Sequence, residues 1–170
     1  MQKIYYLFLS IISILTIFIT ILSSENSAYN FKIEEYCWPT PNFKGISSYF
    51  GYRNSPTKGA SSYHKGIDIL AYQNSAVCAI DSGIVQFASF DNAGGYMIII
   101  KHPNNIKSYY MHLDSKMYVS VGDSVVKGEI IGRVGPKYLE DGKLNGATTG
   151  VHLHLGILKD GKYIDPLSIL

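Results

Sequence analysis

His152 and His154 stand one residue apart in the alternating run Val151-His-Leu-His-Leu-Gly-Ile157. On an extended strand both imidazoles project from one face, about 6.6 Å apart along the chain, while Leu153 and Leu155 take the other. A pair so placed lets one ring bind a metal while its neighbour approaches a water on that metal. His64 and Asp68 form a second pair in His-Lys-Gly-Ile-Asp. A straight strand would hold them about 13 Å apart, beyond sharing one ion. Gly66, Ile67 and Ile69 disfavour a helix, so the chain must bend, with Gly66 supplying the backbone freedom. Two imidazole nitrogens, one carboxylate oxygen and an open position describe a catalytic zinc site with one Zn2+ per domain, as distinct from a closed structural site with four protein ligands. Cys37 and Cys78, the only cysteines, lack the C-x-x-C clustering of a structural zinc.

The remaining histidines are less informative. His112 ends the strand-like run Ser108–Leu113, and local sequence leaves open whether it faces the same groove. His102 flanks the turn Pro103-Asn104-Asn105, where a solvated hairpin position is expected.

The elements that must position these groups are strands. Gly (16) and Tyr (14) are over-used among 170 residues, and with many Ile and Val they favour short strands and tight turns over long helices. Runs rich in β-branched and aromatic residues occur at 46–52, 67–70, 76–80, 84–90, 96–101, 106–112, 117–119, 125–126, 130–134, 152–158 and 162–164. Asn, Asp and Gly clusters separate most of them. The longest interruption, Pro136 to Gly150, lies just ahead of the paired histidines. The fold class expected is mainly β, with antiparallel sheets forming an open substrate groove. With 46% hydrophobic and 16% charged residues the composition excludes simple disorder, and a formal charge of +2 is too weak to call for nucleic acid.

Ahead of the β region, Lys3 precedes the uncharged apolar run Ile4–Leu22, and Ser-Ser-Glu-Asn follows. Residues 1–28 therefore read as either a cleaved signal peptide or an uncleaved N-terminal membrane anchor. Either way the rest of the chain is placed outside the cytoplasm, secreted to the wall or periplasm or held on the outer face of the membrane. Residues 29–44, with Trp38-Pro39-Thr40-Pro41, read as an irregular lead-in arm, and 45–170 as one domain. Cys37 and Cys78 are free either to form a disulfide in an oxidising compartment or to remain buried thiols.

In this order the motifs resemble the lysostaphin/LytM family of zinc peptidoglycan endopeptidases. Ser48-Tyr-Phe-Gly-Tyr-Arg53 resembles the family's opening strand, His64-Lys-Gly-Ile-Asp68 its first metal motif, Tyr110-Met-His-Leu113 its central histidine, and Thr149-Gly-Val-His-Leu-His154 its H-x-H; Asp165-Pro166 also fits. The resemblance implies a lysostaphin-like fold in which His64, Asp68 and His154 bind zinc while His112 and His152 assist the water and stabilise the oxyanion. It implies hydrolysis of peptide bonds in peptidoglycan stems or cross-bridges. Val151 departs from the family's usual Pro, Leu155-Gly156 replaces a common Phe-Glu, and the connection from Gly135 to Gly146 is longer than usual. The competing expectations are a catalytically silent wall-binding or scaffold module of the same fold, and a membrane-tethered enzyme opened by a protein partner.

Overall fold

Alternating apolar residues and turn-forming Asn, Asp and Gly organise the chain into antiparallel strands. The computed structural model describes Ile14, Thr16 and residues 36–43, 45–55 and 61–170. The expected signal or anchor segment falls outside the described residues apart from Ile14 and Thr16, both helical, and no helix among the described residues is long and apolar enough to cross a membrane. The compact unit described below runs from Glu34 to Leu170.

Its strands are β1 (Ile46–Ser48), β2 (Gly51–Tyr52), β3 (Tyr63–His64), β4 (Gly66–Ile69), β5 (Ala76–Cys78), β6 (Gly83–Asp91), β7 (Gly95–Lys101), β8 (Ile106–Leu113), β9 (Ser124–Val125), β10 (Ile130–Arg133), β11 (Leu153–Lys159) and β12 (Lys162–Ile164). The main sheet has the order β1-β4-β11-β8-β7-β6-β9, with β12 on β11, and two ribbons, β2-β3 and β5-β10, complete the set. All these pairings are antiparallel. The mainly β, antiparallel expectation therefore holds. Residues 117–119 form no strand, although the Tyr118 N–H donates to the Ile131 carbonyl at 3.0 Å.

Two hairpins follow directly from turn chemistry. Asn104 and Asn105 (both φ 56°) connect β7 to β8, and Asp160 (φ 49°) with Gly161 (φ 77°) connects β11 to β12. Two successive positive-φ residues match the right-handed twist of the flanking strands.

The centre of the sheet has one apolar and one polar face. Ile67 and Ile69 of β4, Leu153, Leu155 and Ile157 of β11, and Tyr110 of β8 are fully buried on the core side. The opposite phase carries Asp68, His154 and Met111, which the register places side by side on three adjacent strands. Period-two alternation thus lines a groove with polar groups while anchoring it to the core. Tyr36 from the arm joins that core. The arm is held by Cys37 N–H to Ile80 O and Cys78 N–H to Pro39 O, both 2.8 Å. Both cysteines are free thiols, the Cys37 Sγ donating to the Ala79 carbonyl at 3.1 Å, and burial pushes both thiol pKa values up.

Candidate active site

Three donor atoms meet on the groove face. His64 Nε2 lies 3.1 Å from Asp68 Oδ1, His154 Nδ1 lies 2.9 Å from the same oxygen, and the two imidazole nitrogens are 3.0 Å apart. Ligands of a tetrahedral ion with bonds of about 2.0–2.2 Å stand roughly 3.3–3.5 Å apart, so a slight expansion of this triangle suits zinc. The His64 Nδ1 lies 2.9 Å from the Tyr49 carbonyl. A carbonyl only accepts, so Nδ1 holds the proton and Nε2 keeps its lone pair for a cation.

The local chain path explains the convergence. The bend falls at Lys65, between β3 and β4. Gly66 begins β4 and has no positive φ, which corrects the expectation that backbone freedom is its contribution. A Cβ there would lie 2.3 Å from the Leu155 carbonyl and 2.8 Å from His154 Nε2. Gly66 is needed for space.

Asp68 divides its oxygens between two tasks. Oδ1 faces the imidazoles, whereas Oδ2 accepts from Arg53 Nη1 at 3.1 Å. The same Arg53 nitrogen also donates to Ser48 Oγ. Burial alone would raise the Asp68 pKa, but the imidazoles of His152, His154 and His64 gathered around it outweigh that effect and hold the carboxyl well below its usual range. Burial also lowers the His154 pKa against the pull of Asp68. The pair therefore presents an anion and a neutral ring, the forms in which both can bind a metal.

His152 and His112 complete the groove, their rings 4.9 Å apart. The His152 Nδ1–H donates to the Gly150 carbonyl at 3.0 Å, and its Nε2 lies 3.5 Å from Asp68 Oδ1. The His112 Nδ1–H donates to the Asn145 carbonyl at 2.8 Å. Burial, then the neighbouring His152 and His154, push the His112 pKa down to about 3, so near neutrality this ring is uncharged and a proton acceptor at Nε2. The groove is also lined by Arg53, Tyr63, Lys65 and Met111.

The structure thus gathers His64, Asp68, His112, His152 and His154 at one place. His102 does not match its expectation as a solvated hairpin residue. It is 3% exposed, its Nδ1–H donating to the Ser82 carbonyl at 3.0 Å while Nε2 accepts from Ser108 Oγ at 2.7 Å. The room comes from Gly83, where a Cβ would stand 2.9 Å from the ring. Burial lowers its pKa. Arg53 was legible only as part of an opening-strand motif, and no local sequence signal pointed to Asn145.

The model of peptidase family M23 matches residues 62–166. The chain is 33% identical over 124 residues to the DD-carboxypeptidase/endopeptidase Mpg of Neisseria meningitidis, covering 73% of this chain and 26% of that protein. It thus spans about a quarter of that relative's length. Among solved structures it resembles a zinc-containing peptidase from Vibrio cholerae, with TM-score 0.64 and 28% identity over 75% of this chain and 37% of that one. It also resembles the catalytic domain of lysostaphin from Staphylococcus simulans, with TM-score 0.62 and 30% identity over 75% of this chain and 91% of that one.

Proposed function

This chain belongs to peptidase family M23, and from that premise we propose that it is a zinc-dependent endopeptidase hydrolysing peptide bonds in peptidoglycan stems or cross-bridges, acting outside the cytoplasm. The observation that carries the reading is the triangle of His64 Nε2, Asp68 Oδ1 and His154 Nδ1, with His112 and His152 beside it. These three residues would hold one zinc ion. When bound, such an ion polarises a peptide carbonyl and brings the pKa of a bound water toward about 7.

The protein's own groups do the rest. Arg53 holds the second Asp68 oxygen and leaves the first for the cation. His152, with its proton committed to Gly150 on Nδ1, offers Nε2 to the attacking water. His112, neutral before reaction, is a second acceptor, and once protonated it donates to the oxyanion. Each ring needs a fixed tautomer for this work, and each obtains it from a backbone carbonyl. An open groove between strand ends suits an extended peptide. Retention of all five positions supports an enzyme over a silent scaffold of the same fold.

The test is direct. Purified protein should contain close to one zinc per chain and release new peptide ends from defined peptidoglycans, read by mass spectrometry of the muropeptides. Metal-free protein that leaves every cross-link type intact after zinc addition would refute the reading.

A further inference from the structure

By alternation along β8, Ser108 and Tyr110 face the core, and His112 should follow them. Instead His112 lines the groove together with Met111, while Leu113 is fully buried in the core. The phase slips at one residue. Against β7 the register runs Ile98↔Tyr110 and then Tyr96↔Leu113, so β8 carries one extra residue here, a β-bulge. His112 has φ +62°, a left-handed conformation costly for a residue with a Cβ and one that persists only when its surroundings enforce it. Bulges re-aim side chains in this way.

Asn145 supplies much of the enforcement. It is completely buried and touches both sides of the slipped register. Its Oδ1 accepts from Tyr96 N–H at 2.9 Å, and its Nδ2 donates to the carbonyls of Leu113 at 2.9 Å and Pro136 at 3.2 Å. Tyr96 and Leu113 are register partners, so the carboxamide bridges the two strands where the bulge disturbs them. Its own carbonyl accepts the His112 Nδ1–H. One acceptor and two donors on a single planar group are what an amide side chain provides and a carboxylate or hydroxyl does not. The pocket is closed by glycines: a Cβ at Gly95 would lie 2.3 Å from Asn145 Oδ1, and one at Gly135 would lie 2.7 Å from Nδ2.

We propose that Asn145 is a positioning residue for hydrolysis: its side chain staples the β8 bulge and its carbonyl fixes the His112 tautomer, which together turn the lone pair of His112 Nε2 into the groove. This rests on the hydrolase reading above. It also assigns a task to the long connection from Gly135 to Gly146, which delivers Asn145 to the bulge. His112 is held at two further points, its N–H on the Gly94 carbonyl and its own carbonyl under the Gly135 N–H, both 2.9 Å.

The test uses full-length protein labelled with 15N-histidine, with Asn145→Ala and Asn145→Asp beside the parent. Asp has the same size and keeps the acceptor for Tyr96 but sets oxygen against the Leu113 and Pro136 carbonyls, so both variants should behave alike. Long-range 1H–15N spectra should show His112 protonated at Nδ1 in the parent and a mixture of tautomers in the variants. Zinc content and KM should stay near parental values while kcat falls about 10–100-fold, the usual worth of a partner that orients an active-site imidazole. A His112 signal unchanged in either folded variant would overturn the proposal, as would a lost tautomer with an unchanged kcat. If the parent itself cleaves no peptidoglycan peptide while the variants still scramble the His112 tautomer, the hydrolase reading fails and the positioning of His112 by Asn145 stands.

Discussion

Gly66 and His154 sit on adjacent antiparallel strands, close enough that the space a Cβ would fill on Gly66 is taken by the His154 imidazole. Gly66→Ala should therefore displace a metal donor and press on the Leu155 carbonyl. We expect a loss of about 1–3 kcal/mol in folding stability, the cost of overpacking, together with zinc affinity at least about tenfold weaker. Denaturant unfolding and zinc titration measure the two. Parental affinity would show that the ring has room to spare.

The two rings of the H-x-H should separate experimentally. His154→Ala should lose zinc and hydrolysis together, because a triangle donor is gone. His152→Ala should retain zinc but lose about 10²–10⁴-fold in rate, the usual worth of a positioned acid or base. Zinc content and the rate of cross-link peptide cleavage, with circular dichroism as the folding control, decide it. A metal-free His152→Ala beside a zinc-loaded His154→Ala would reverse the roles.

Arg53→Met tests the division of labour within Asp68. The substitution keeps a long side chain but leaves Oδ2 without its charged donor, so the carboxylate is free to rotate. Zinc affinity should drop about 10–100-fold, while the rate at saturating zinc changes less. Competition with a fluorescent zinc chelator reads the affinity, and an unchanged value would reduce Arg53 to a surface cation.

His102 should make stability depend on pH. Its folded pKa lies below the ordinary value of about 6.5, so the unfolded chain binds a proton that the folded chain resists. Its contribution is intact above about pH 6.5 and is lost as pH falls toward the lower folded pKa. His102→Gln should be about 1 kcal/mol less stable at pH 7.5 through poorer hydrogen bonding, with a shallower decline toward pH 5.5 than the parent. Parallel declines in urea midpoint would exclude His102 as a source of the slope.

What could be read from the sequence was what depends on neighbours in the chain. Asn104-Asn105 announced the β7–β8 hairpin because both residues tolerate positive φ, and His152 and His154 announced a shared face because strand alternation has period two. His112 was undecidable for the same reason. Alternation puts it with Tyr110 in the core, and only the bulge, which depends on Asn145 some thirty residues later, returns it to the groove. His102 was misplaced because its burial depends on Gly83, on another strand. Gly66 was correctly singled out for the wrong property, since steric room is visible only once His154 is beside it.

Strand β11 lies in the middle of the sheet, between β4 and β8, yet it follows both in the chain, and His154 is 90 positions beyond His64. The order of assembly follows. During synthesis β4 and β8 emerge with His64, Asp68 and His112 but without the strand that joins them, and a chain stopped before residue 153 has neither a completed triangle nor a continuous sheet. Closing so long a loop is slow compared with forming the local β7–β8 hairpin. The triangle of His64, Asp68 and His154 is therefore completed late and all at once, as the final long strand inserts. A partly made chain lacks the completed triangle, and proteolytic removal of β11 would divide the sheet that carries it.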